Sequence, residues 1–362
     1  MNPTTNHHEE DDVSTERPVL GIDLGTMTLA AGYAIPGHDP EPLTMQVRGT
    51  NAPHYRSEIL VSDTGEVRRP DFRGKVASRI GNLTAYLGRP PMVVAGAPYG
   101  INTLIEMLVG PAVDAADDLG TRPDTIAAVV PSHWPEYTVD QYCKALNSTG
   151  LYAVPVGSFE AMASYAELED TDGLVTCINV GAQDASFTIA VPDGSTRFPE
   201  AWSATTTGGL NYLAQHLVIH ITAQIAPTFQ PGGQWLRQST EVGQRIIRAA
   251  QKASSPQALI AVNVPAPVGK INVRAGQVND LVEDLMRNAL DDLTSDQKIH
   301  DLWGDDQEAG IPKTLLVTGG LSTNTAVGNA IRTTIGPWRA KNHPEALLAM
   351  GAARHVAEGR TR

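Results

Sequence analysis

Three glycine turns, each at the end of an apolar run, are the parts of this sequence best suited to chemistry. The first is Leu20-Gly21-Ile22-Asp23-Leu24-Gly25-Thr26-Met27, the second Asn179-Val180-Gly181-Ala182, and the third Val317-Thr318-Gly319-Gly320. A glycine turn after a buried strand presents backbone N–H groups to which phosphate oxygens can bind. Asp23, between strand and turn, is placed to hold a hydrated divalent cation, as magnesium is held through few carboxylates and several waters. A tight hairpin alone also accounts for any one such turn. Three of them, one carrying an acid, point together to a phosphate site.

The elements that must position these turns follow from periodicity. The spacing predicts strands over 19–23 and 29–34, with Gly25 to Thr28 between them, and a hairpin of 57–62 and 66–68 about Asp63-Thr64-Gly65. It predicts helices over 102–109, 138–150 and 160–168, and strands over 126–130 and 152–156. The theme then restarts: a strand over 174–180, the second turn, and a return strand over 186–191. Helices are expected over 241–253 and 280–293, a strand over 314–318, and helices over 325–335 and 344–358. Two strand–turn–strand openings spaced about 155 residues apart suggest a duplicated α/β chain with a cleft between its halves.

The residues carry a family resemblance. Leu20 to Thr26 resembles the first phosphate motif of the sugar kinase, heat-shock chaperone and actin superfamily, and Leu315-Leu316-Val317-Thr318-Gly319-Gly320-Leu321-Ser322 resembles its adenosine motif. Within it the chain is most similar to the ATPase domain of the seventy-kilodalton heat-shock chaperones. Val129-Val130-Pro131, Thr207-Gly208-Gly209-Leu210-Asn211-Tyr212-Leu213 and Gly351-Ala352-Ala353 resemble further family segments, so the likeness spans about residues 18–358. It implies a two-lobed actin-like ATPase fold of duplicated ribonuclease-H-like domains. One lobe would be 18–170 plus 344–358, and the other 171–343 with a smaller subdomain about 233–295. It implies ATP or ADP as ligand, with Mg2+ at Asp23. The contacts would come from Asp23, Gly25, Thr26, Met27, Gly181, Ala182, Gly208, Gly209, Lys252, Ser255, Gly319, Gly320 and Ser322.

Departures from the family pattern fall on the catalytic groups. Asn179 stands where the family has an aspartate, and Gln183-Asp184 replace part of its glycine run. Gly157-Ser158 stand at its Glu-Pro step, with Glu160 three residues on. Ala77 stands at its lysine, with Lys75 two residues early. Met27 replaces a threonine, Thr323 an arginine, and Gln251 a lysine. Each such loss typically costs ~10²–10⁴ in rate. The expectation is therefore a chaperone-like nucleotide-binding protein with weak or absent hydrolysis and no catalytic residue, signalling to a protein partner by lobe closure. The alternative is a pseudo-ATPase scaffold that binds no nucleotide. A kinase or filament-forming relative is a third class, but no sugar-cleft base is evident.

Composition narrows the partners. The 362 residues carry 27 basic and 40 acidic side chains, a net charge of −13, which counts against nucleic acid as a partner. Cys143 and Cys177 build no disulfide framework, and no apolar run reaches the ~20 residues of a membrane helix, so a cytoplasmic protein without membrane insertion is expected. Residues 1–17, with His7 and His8, are too polar to form a core and are expected to be a disordered acidic tail. Neither a hydrophobic linker nor a β-rich second half follows, so peptide refolding by this chain alone is not expected.

Overall fold

A computed structural model of the chain describes residues 17–131, 133–166, 175–190, 200–206, 208–295, 314–336 and 344–359. The acidic tail, with His7 and His8, and Thr207 lie outside the described residues.

The chain opens with β1 (Val19–Leu24), β2 (Thr28–Ala34), β3 (Glu41–Pro42), β4 (Met45–Val47), β5 (Thr50–Ala52) and β6 (His54–Arg56). Then come β7 (Glu58–Ser62), β8 (Val67–Arg68), β9 (Val76–Gly81), and the hairpin β10 (Met92–Val94) and β11 (Ala97–Tyr99). Next are α1 (Ile101–Asp117), β12 (Thr125–Val130), α2 (Glu136–Asn147), β13 (Tyr152–Gly157) and α3 (Ser158–Ala166). A second series follows: β14 (Val175–Val180), β15 (Ala185–Ala190), β16 (Glu200–Thr206), α4 (Leu210–Ile225) and α5 (Gly233–Gln251). It continues through β17 (Leu259–Val264), β18 (Gly269–Arg274), α6 (Ala275–Thr294), β19 (Thr314–Thr318), α7 (Thr325–Thr334) and α8 (Leu347–Ala357). The class is mixed α/β.

The larger sheet runs β13-β12-β1-β2-β3, with β6 also on β2. In it β1 is parallel to β12 and antiparallel to β2. The second sheet runs β16-β15-β14-β19, and β14 is likewise parallel to β19 and antiparallel to β15. Each glycine hairpin therefore has a parallel strand at its flank. Both central strands are buried on both faces, which is why they read as continuous apolar runs rather than alternating ones.

Three buried clusters hold these layers. Leu20, Ile22 and Leu29 meet Leu104, Ile105 and Leu108 of α1 and Tyr142 of α2. Ile178, Phe187 and Val317 meet α4, α5, α6 and α7 through residues such as Leu213, Ile246, Met286 and Ile331. A third cluster joins Ala127 and Val129 to Val175, Cys177 and Leu316 through α3 and α8. Helix α8 buries Leu347 to Ala353 on β1, β2, β12 and α3. Its approach is close enough that a β-carbon on Gly351 would lie 1.9 Å from the Ala161 carbonyl oxygen.

Helix α1 continues eight residues past the expected end at Val109. It passes through Pro111 because Ala112, Val113 and Ala116 extend its buried face. Helix α5 begins eight residues earlier than expected. Trp235, Ser239, Val242 and Ile246 keep helical spacing, and Ser239 Oγ satisfies itself on the Leu236 carbonyl at 2.8 Å. No described helix is long and apolar enough to cross a membrane.

Candidate functional site

The three glycine turns border one cleft of about 1190 Å3, a little above the roughly 300–1,000 Å3 of most small-molecule pockets. Asp23, Gly25, Thr26, Met27, Gly181, Ala182, Lys252, Gly319 and Gly320 line it. The turns are brought together by backbone geometry. Gly25 N–H donates to the Thr28 carbonyl at 2.9 Å, and Gly181 N–H to the Asp184 carbonyl at 2.9 Å, closing the two hairpins. Leu321 N–H donates to the Val180 carbonyl at 3.2 Å, which docks the third turn on the second. Gly319 has φ 93°, so glycine is required there. Among the described residues, the amides of Thr26, Met27, Ala182, Gln183 and Gly320 donate to no backbone carbonyl.

Other expected contacts sit behind this surface. Gly208 and Gly209 do not line the cleft. A β-carbon on Gly209 would lie 2.5 Å from Asp184 N, and one on Gly208 2.9 Å from Ala289 Cβ, so both serve close packing. They bring α4 to the second turn, where Leu210 and Asn211 N–H donate to the Gly181 and Ala182 carbonyls at 3.0 and 2.8 Å. Ser322 is buried and its hydroxyl donates to the Gly319 carbonyl at 2.7 Å, fixing the third turn. Ser255 lies outside the lining, and its oxygen accepts from Gln257 N–H at 3.2 Å. Gln251 Nε2 donates to the Thr323 carbonyl at 3.2 Å, tying α5 to the segment before α7.

Asp23 is largely enclosed, and burial pushes its carboxyl up to about 6. The buried Tyr142 hydroxyl is close to it. Burial first, then the Asp23 charge, raises that phenol well above its usual value. Among the described residues, no cluster of three or more metal-ligating side chains exists. Asp23 is the carboxylate of the first turn, with Glu58, Asp184 and Glu345 elsewhere in the lining, and one carboxylate at that turn suits magnesium held through waters and phosphate oxygens better than a protein cage. Asn179 is a neutral oxygen donor rather than a second carboxylate, and its Oδ1 is 2.4 Å from where a Gly319 β-carbon would be. The donor set thus fits a water-shelled cation and not a tightly caged one. Both thiols are raised by burial, Cys143 to about 11 and Cys177 to about 12, so neither is a nucleophile.

Sequence reasoning named Lys252 but missed the arginines of this cleft. Ala77 is not in the lining, and Lys75 lies beside Asp63 at 3.8 Å. Arg48, Arg56, Arg79 and Arg248 line it instead. Arg56 stands opposite Thr28 in register, immediately beyond the first turn. Glu58 pairs with Arg56 at 3.1 Å and with Arg79 at 3.2 Å. The sequence signal for Arg48, Arg56 and Arg79 was their clustering about the early hairpins, while Arg248, near the end of α5, gave none. No protein-family model and no curated protein matches this chain.

Proposed function

We propose that the cleft binds a phosphate-bearing ligand, an adenine nucleotide by the resemblance to the seventy-kilodalton chaperone ATPase domain, with weak or absent hydrolysis. Closure of the chain's two halves on that ligand signals to a protein partner. The observation that carries the reading is the meeting of three glycine turns on one cleft with unpaired amides. The twice-repeated pairing of a glycine hairpin with a parallel strand supports the finer reading of the fold as two-lobed and actin-like. In that reading Thr26, Met27, Ala182 and Gly320 bind phosphate oxygens through their amides. Asp23 orients the water shell of a magnesium ion, which neutralises phosphate charge when bound.

Low turnover follows from the same residues. Hydrolysis needs a group placed to orient the attacking water and activate it. Glu160 is outside the cleft lining, and position 179 offers a neutral amide where the resembled family has a carboxylate.

The second reading, a scaffold that binds no nucleotide, is favoured by one feature. Gln183 and Asp184 bring bulk and negative charge to the second turn, and both line the cleft. Calorimetry with ATP and ADP, with and without magnesium, separates the two. Micromolar or tighter binding supports the first reading, and no heat at millimolar nucleotide supports the scaffold.

A further inference from the structure

Arg248 of α5 is half-buried on the cleft wall and, among the described residues, has no carboxylate within ion-pairing distance. Its nearest electrostatic neighbours are Arg56, which repels it, and Glu58, which attracts it. Loss of water and that repulsion lower its pKa below the usual guanidinium value. Glu58 is already shared by Arg56 and Arg79, at 3.1 and 3.2 Å, so three guanidiniums face one carboxylate. In a chain of net charge −13, this is a local inversion of sign. A fourth guanidinium, Arg48, is presented to the cleft from the β4–β5 turn with φ 52°. Arg48 and Gly49 are the two left-handed residues that such a two-residue hairpin turn requires.

We propose that Arg248, with Arg56 and Arg79, forms an oxyanion subsite of the phosphate class within the cleft. The guanidinium fork matches the oxygens of a phosphate two at a time, and a bound anion supplies the counter-charge that Glu58 alone does not. Because Arg56 and Arg248 belong to the chain's two series of elements, the anion also ties those elements together. The inference rests on the cleft being a ligand site, but not on that ligand being a nucleoside.

The test is calorimetric titration of the full chain with inorganic pyrophosphate and, separately, ATP. It is run on the wild type, Arg248→Gln, Arg248→Lys, and the same-helix control Arg237→Gln, an exposed position outside the cleft. Arg248→Gln is expected to weaken pyrophosphate binding at least about tenfold, Arg248→Lys less, and Arg237→Gln not at all. Competition between pyrophosphate and ATP would assign the subsite to the nucleotide's own phosphates, and simultaneous binding would assign it to a separate anion. Pyrophosphate binding that depends on Arg248 while ATP fails to bind would remove the nucleotide reading and leave the subsite standing. Pyrophosphate affinity unchanged in Arg248→Gln, or no pyrophosphate binding to the wild type at millimolar concentration, would overturn the subsite whatever ATP does.

Discussion

The Glu160 carboxylate lies over Gly157: a β-carbon on Gly157 would sit 1.9 Å from Glu160 Oε2. Glu160 is in the first turn of α3, where an acid interacts favourably with the helix N-terminus. The acid three residues beyond the expected catalytic position is thus occupied in starting its own helix. Glu160→Ala is expected to lower stability by roughly 0.3–1 kcal/mol. It should leave ATP turnover at the level of the wild type. Urea denaturation and a phosphate-release assay on the same preparations check both halves. Loss of a measurable turnover in Glu160→Ala would identify a relocated catalytic acid.

Close packing of α8 gives a second prediction. A β-carbon on Gly351 would lie 1.9 Å from a backbone oxygen of α3, and backbone cannot swing aside as a side-chain tip can. Gly351→Ala should cost roughly 1–3 kcal/mol or more by overpacking. Gly233→Ala, at the first residue of α5 where a β-carbon meets nothing within 4 Å, should not lower stability. Equal denaturation midpoints for the two variants would mean that α8 does not seat on α3 this tightly.

Asp23 makes stability depend on pH in a definite direction. Burial raises its folded-state pKa from 3.8 to about 6, so the neutral form is preferred in the folded chain. At about pH 3.5 and below the unfolded carboxyl is mostly protonated too, and almost no penalty remains. As pH rises the unfolded chain ionises first, and stability falls until the pH has passed about 6. Asp23→Asn should therefore be more stable than the wild type at pH 7.5, by up to ~3 kcal/mol, and equal to it near pH 3.5. Denaturation curves at the two pH values in the absence of ligand measure this. A wild type more stable than Asp23→Asn at pH 7.5 would indicate a cationic partner for the carboxylate.

What the sequence made legible was local. Apolar runs ended by glycine marked β1, β14 and β19, because strands buried on both faces need no alternation and their turns need residues without a β-carbon. Gly25, Gly181 and Gly319 could be placed on one cleft by their common strand–turn form and the family resemblance; β14 and β19 are neighbours in one sheet, whereas β1 lies in the other. The arginines could not. Arg56 lies on a three-residue strand, and Arg248 near the end of a helix, so the facing of each depends on tertiary pairing rather than on its neighbours in sequence. Gly208 and Gly209 show the reverse problem: glycines beside a phosphate hairpin read as ligand contacts, yet close approach of α4 to Gln183 and Asp184 requires them.

The last prediction concerns Asn179→Asp. Asn179 is opposite Thr318 in the parallel pair, with its Oδ1 against Gly319, so an aspartate there would point a carboxylate at the junction of the second and third turns. Restoring that acid alone should not restore hydrolysis. On the proposed nucleotide reading, Gly157 supplies no side chain to orient an attacking water. Asp23, Glu58, Asp184 and Glu345 already line the cleft, so a further negative charge beside the turns opposes phosphate binding. Ala77→Lys offers no remedy either, because position 77 is exposed on β9 and outside the lining, whereas Arg79 is within it. Groups that act on one transition state are not additive, so a single restored member recovers little. Single-turnover assays should thus give rates near the protein-free background for both the wild type and Asn179→Asp, with nucleotide affinity unchanged or weaker in the variant. A wild-type rate comparable to ordinary chaperone ATPases would show that the site has moved its catalytic groups rather than lost them. A large gain in Asn179→Asp would show that one amide is the whole of the deficit.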